Sequence, residues 1–217
     1  CAFIANFMLC ISQFIVNPLV ATYADYLGAD QVLTGVISGL YFGVAFAARP
    51  VSGPVITILN KKKIMIFAYT LGMIVNLGYA FSGGIPLFIV SRILHGIQFA
   101  FIGSLNLTLA SDSLPAEKMG AGLGIFGVGG ATATAIAPTI GIALRSWGER
   151  TFGGLGAGYT VVFLVAACCT LLSLIPCILM PYKHISKEEL ASLGAWYKNI
   201  FAPEALMPAI VIAFLSM

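Results

Sequence analysis

Six apolar runs of about twenty residues or more follow one another with little between them, at about 2–22, 31–59, 63–83, 86–111, 119–144 and 157–180, and a further run opens near 206. The hydrocarbon core of a bilayer is about 30 Å thick and takes about 20 residues of α-helix to cross. Each complete run is therefore long enough to span it. An unpaired backbone amide in lipid costs several kcal/mol, so such spans must be helices or a closed barrel, and the alternation of barrel strands is absent. The sequence predicts an all-α polytopic membrane protein. Composition agrees: 9% of residues are charged, against about 25% in soluble domains.

Orientation follows from the basic residues, which are retained in cytoplasmic loops. Lys61, Lys62, Lys63, Lys118, Lys183, Lys187 and Lys198 fall on one side of the alternating spans, and only Arg145 and Arg150 fall opposite. Even-numbered spans are thus expected to end in the cytoplasm, with the amino terminus cytoplasmic and the loops holding Asp25, Asp30 and Gly83–Gly84 outside. Three segments are expected: a six-span bundle over 1–181, a cytoplasmic link over 182–205, and the start of a second bundle over 206–217. In the link, Ser186 and Glu189 have the spacing of a capping box, and Leu190, Leu193, Trp196 and Tyr197 recur at helical spacing. A short surface helix and a plain connector both fit. The chain starts at Cys1, and its last apolar stretch is too short to cross a bilayer, so further chain is expected, including a second, carboxy-terminal half.

The polar residues inside the spans are few. All eight acidic residues fall in loops or at helix ends, whereas Arg49 lies late in the second span and Arg92 early in the fourth. Ions at such depth are costly and usually face a cavity. In the fourth span Arg92, His95, Gly96, Phe99, Gly103 and Asn106 share one helical stripe, which either lines a polar path or joins neighbouring helices. The first span has a gentler line, Asn6, Cys10, Gln13 and Asn17, whose amides can bind a solute or bridge helices. Small residues repeat every fourth position as Gly35, Gly39, Gly43 and Ala47 in the second span and as Gly129, Ala133, Ala137 and Gly141 in the fifth. Such stripes permit close approach, either static or moving. Pro138 removes one backbone hydrogen bond from the fifth span.

Several other chemistries lack their residues. The five cysteines lie in apolar runs without CxxC spacing or a histidine pair, so packing is the expected role and no metal is expected. No GxxxxGK[ST], HExxH or GxSxG occurs, and the two histidines, His95 and His184, are far apart. No enzymatic activity, cofactor or nucleic-acid partner is expected.

The order of these features resembles the major facilitator superfamily over essentially the whole chain. Arg49, Pro50, Val51, Ser52 and Gly53, followed by Lys61, Lys62 and Lys63, resemble the family's motif between spans two and three. Thr57 stands at the usual aspartate and Asn60 at the second glycine. Arg92, Ile93, Leu94, His95 and Gly96 are similar to the RxxQG motif, with His95 at the glutamine. Ala133, Ala137, Pro138, Thr139, Ile140 and Gly141 resemble GxxxGPxxGG, keeping Pro138 and Gly141. The resemblance implies twelve helices in two six-helix bundles with a substrate cavity between them. It implies proton coupling through Arg92 with His95 beside it, a cytoplasmic gate at Arg49, Gly53 and Lys61 to Lys63, and an antiporter-like fifth span at Ala137, Pro138 and Gly141. Asn6, Gln13, Asn17, Phe99 and Asn106 are the cavity residues that helical geometry adds. The expectation is a secondary active transporter of the bacterial plasma membrane, with a small organic compound, protons and the lipid bilayer as partners, working by proton-coupled efflux. The alternative is uptake or facilitated diffusion of a sugar, nucleoside or other metabolite.

Overall fold

The structure, a computed structural model, describes residues 2–112 and 114–179. The expected link and the start of a seventh span lie outside the described residues. The first span is α1 (Ala2–Val16) and α2 (Val20–Tyr26), joined by a 3-10 turn, Asn17–Leu19. Five more helices follow: α3 (Gln31–Ile58), α4 (Lys61–Ala80), α5 (Ile85–Asp112), α6 (Met119–Phe152) and α7 (Leu155–Leu179). By length and apolar composition, six spans among the described residues can cross a membrane.

Element ends depart from the apolar pattern for local reasons. Pro18, without an N–H, breaks the first helix into a 3-10 turn, and the chain then runs helical to Tyr26 rather than stopping near 22. Asp30 caps α3 by accepting the Leu33 N–H at 2.7 Å, and the Thr34 hydroxyl donates to Asp25 at 2.7 Å. Asn60 caps α4 by accepting the Lys63 N–H at 3.2 Å, so the three lysines form the first turn of a helix rather than a loop. Positive charge there opposes the helix dipole. Lys61 offsets it by donating to Asp112 at 2.6 Å, and Lys62 by donating at 2.7 Å to the Ile178 carbonyl near the end of α7. The fifth span does not stop near 144: α6 continues through Arg145 and Arg150 to Phe152 and ends at Gly153, whose φ of 73° suits glycine. Arg145 lies 3.9 Å from Glu149 one turn on and stacks over Tyr159, so these charges are accommodated on a helix.

α1 packs against both α6 and α7, α4 against α5 and α7, and α3 chiefly against α5. The buried side chains form two apolar clusters at different depths. One gathers Ile15, Leu19, Tyr23, Tyr79, Phe88, Tyr159, Val162 and Phe163. The other gathers Leu9, Ile64, Met65, Tyr69, Ile102, Leu105 and Cys177.

Candidate functional site

The seam between α3 and α5 is built around Gly96. A methyl group there would lie 2.7 Å from the Tyr41 carbonyl oxygen and 2.8 Å from the Val44 Cβ, so only glycine lets the two helices come this close. One turn nearer the start of α5, Arg92 is 2% exposed and reaches across the seam. Its Nε donates to the Ile37 carbonyl at 3.2 Å and its Nη2 to the Ser38 carbonyl at 3.1 Å, while its guanidinium carbon sits 5.1 Å from the centre of the Tyr41 ring. Its Nη1 is buried without a hydrogen-bond partner among the described residues. His95, also buried, meets the Tyr41 ring edge-on at 4.8 Å and shares a 3.0 Å hydrogen bond through Nδ1 with the Tyr79 hydroxyl of α4. Arg92 and His95 therefore converge on Tyr41, and His95 carries the contact on to α4.

Toward the other end of α5, the Tyr69 hydroxyl donates to Asn106 at 3.2 Å, and the Asn106 amide donates to Asn6 at 3.0 Å, linking α4, α5 and α1. Asn6 and Asn106, both inferred from helical faces, are thus brought together. Gln13 points into the bundle, buried, with its Nε2 unpartnered among the described residues. Asn17 stands apart, half-buried at the 3-10 break. Phe99 belongs to the α3–α5 seam, 4.9 Å from the Tyr41 ring and 6.5 Å from Phe42.

Nearer the carboxy-terminal end of α3, Arg49 lies half-buried over Gly103, where an added Cβ would be 3.9 Å from its Nη2. Gly53 is exposed one turn on, and Lys63 is exposed at the start of α4. The stripe on α6 packs closely on α1: a Cβ on Gly129 would lie 2.5 Å from the Phe3 ring, and one on Gly141 would lie 2.5 Å from the Ile15 carbonyl oxygen. Ala133 and Ala137 are fully buried on the same stripe, with Pro138 half-buried beside them. By contrast, no described residue stands within 4 Å of a Cβ placed on Gly35, Gly39 or Gly43 of α3, so that stripe is not a packing face among the described residues.

The Major Facilitator Superfamily model matches residues 2–217. The chain belongs to the major facilitator superfamily. It is therefore an integral membrane protein, placed among transporters rather than enzymes. The staphylopine export protein of Staphylococcus aureus (strain Mu50 / ATCC 700699) is 24% identical over 143 residues, 65% of this chain and 36% of that protein. A peptide transporter solved in complex with sulfate superposes with a TM-score of 0.71 at 18% identity over 99% of this chain and 45% of its own. The proton:xylose symporter XylE superposes with a TM-score of 0.69 at 14% identity over 98% of this chain and 50% of its own. The chain thus spans about a third to a half of these relatives, and its bundle has the superfamily fold.

Within that fold the residues missed by the sequence reading form a polar layer between the two apolar clusters. The hydroxyls of Ser12 on α1 and Thr170 on α7 are 2.8 Å apart, and both lie within reach of the Ala166 carbonyl. The Asn76 amide of α4 donates to each at 3.2 Å. Gln98 of α5 closes over Gly72, where an added Cβ would be 2.6 Å from its Nε2. Mid-span amides were the available signal. It marks Asn6, Gln13, Asn17 and Asn106, and it marks Asn76 and Gln98 equally. Tyr41 and Tyr79 carried no such mark, because a tyrosine in an apolar run reads as packing.

Proposed function

We propose that the chain is the amino-terminal bundle of a secondary active transporter that moves a small organic compound by alternating access, as a proton-coupled exporter. The observation that carries this reading is Arg92, a buried cation whose bonds go to backbone carbonyls of another helix and to no carboxylate among the described residues. Its contacts cross the α3–α5 seam, so movement of one helix on the other makes or breaks them. Like charges repel strongly where water is excluded. A proton carried onto this face and a rearrangement of the seam are then energetically coupled. A second bundle would complete the cavity that Asn6, Gln13, Asn17, Phe99 and Asn106 begin, and Arg49, Gly53 and Lys61 to Lys63 would gate its cytoplasmic end.

Efflux is supported by Ala137, Pro138 and Gly141 on the α6 stripe and by the resemblance to an export protein. The lysines at the start of α4 support a cytoplasmic location for that end, with the amino terminus on the same side, and the bacterial relative supports a bacterial plasma membrane. Uptake or facilitated diffusion of a sugar, nucleoside or other metabolite is the second reading, favoured by the uncharged amides of Asn6, Gln13 and Asn106.

The test uses the full-length protein in energised inverted vesicles, with a pH-sensitive dye and candidate compounds added singly. Proton release on addition, lost in Arg92→Ala with the protein still inserted, is the expected result. Unchanged release in Arg92→Ala removes Arg92 from coupling, and silence across a broad panel favours the second reading.

A further inference from the structure

Arg49 is the second guanidinium on the α3–α5 seam, and no described residue engages its side chain. Its guanidinium forms no hydrogen bond or ion pair with any described residue, and its Nε is shut away from solvent. The acids among the described residues sit at helix ends, where Asp112 is held by Lys61 and Glu149 lies near Arg145. The guanidinium is stationed over Gly103, whose missing side chain leaves the space in front of it open. Toward the outside, Phe42 is 43% exposed and packs edge-on with Phe99, itself half-buried. Phe42 precedes Arg49 by two helical turns on the same face, roughly 10 Å along the axis. The open face therefore has an aromatic wall at one end and, at the other, a cation unmatched among the described residues.

A guanidinium presents N–H groups in a planar fork that matches an oxyanion two bonds at a time. Held at membrane depth without a counter-ion it is costly, so an arriving anion gains more there than at the surface. We propose that this face binds the anionic group of the transported solute, a carboxylate on a planar aromatic body. Arg49 is the ion-pairing contact, and Phe42 and Phe99 hold the body. This inference rests on the transporter reading and adds the charge of the solute. The phosphate of an anionic lipid shares the oxyanion chemistry, and the experiment separates the two.

Purified full-length protein in neutral detergent is titrated with 2-naphthoate, 2-naphthamide and 2-naphthylmethylammonium, and binding is read by calorimetry. Naphthoate is expected to bind at least tenfold more tightly than the amide, with the ammonium weakest. Arg49→Gln should erase that advantage. Gly103→Leu, which fills the space without altering charge, should weaken naphthoate likewise and serves if Arg49→Gln does not fold. Equal binding of naphthoate and amide, or an advantage that survives both variants, overturns the proposal. In nanodiscs, naphthoate binding that persists with phosphatidylglycerol present supports the solute. Protection by phosphatidylglycerol without naphthoate binding assigns the site to lipid and overturns it. Because binding is read without a gradient, failure of proton-coupled flux with the carboxylate preference intact sinks only the transport reading.

Discussion

At Gly96 a single hydrogen atom decides whether α3 and α5 meet. With the Tyr41 carbonyl 2.7 Å from any added methyl, Gly96→Val must push the helices apart and draw the Ile37 and Ser38 carbonyls away from Arg92. Overpacking of this kind costs about 1–3 kcal/mol. We expect a lowered unfolding temperature and loss of transport, whereas Gly103→Ala, whose nearest neighbour is Arg49 at 3.9 Å, keeps the unfolding temperature of the parent. A drop in Gly103→Ala equal to that in Gly96→Val would deny the seam its special role. His95 offers a finer question. Its bond to Tyr79 is one a glutamine amide can also make, so His95→Gln is expected to preserve coupled transport to within a few-fold. Loss of proton release with substrate binding retained would instead make the imidazole a proton carrier.

Two of the helices, α3 and α4, begin where a side chain satisfies one of their first N–H groups. Asp30→Ala removes the acceptor for Leu33, and loss of an N-cap costs about 1 kcal/mol. Thermal unfolding should show that decrease, and no change would mean that Asp25 and Thr34 hold the turn alone. The existence and order of the spans were legible because a run of twenty apolar residues has few other fates. Their ends were less so. The three lysines read as a loop because their partners, Asp112 and the Ile178 carbonyl, are far away in sequence. Arg145 and Arg150 read as a loop because the pattern treats charge as a break, although a helix can carry it at the interface beside Glu149 and Tyr159. Helical spacing gave the shared face of Arg92 and His95 correctly, since it depends on one element. It could not say which helix lies opposite, so the glycine stripe of α3 looked like the contact while Gly96 made it.

Taken whole, the bundle is two apolar clusters separated by the Ser12, Asn76, Gln98 and Thr170 layer. Polar bonds between membrane helices contribute about 0.6 kcal/mol on average, so the layer adds little to strength while defining which depths of α1, α4 and α7 face one another. A double-mutant cycle on Ser12→Ala and Asn76→Leu should give a coupling of about that size, and a value near zero would show that the apolar clusters align the helices unaided. The same sense of depth governs the longest helix. At 34 residues, α6 is about 51 Å long, roughly 20 Å more than the hydrocarbon it crosses. Trp147 and Phe152, edge to face at 5.8 Å and largely exposed, lie with Arg145, Glu149 and Arg150 at its carboxy-terminal end. Indole and guanidinium groups favour the headgroup zone, so α6 acts as a plumb line: it sets the height at which the bundle floats, and with it how deep in the membrane Arg92 and Arg49 are held.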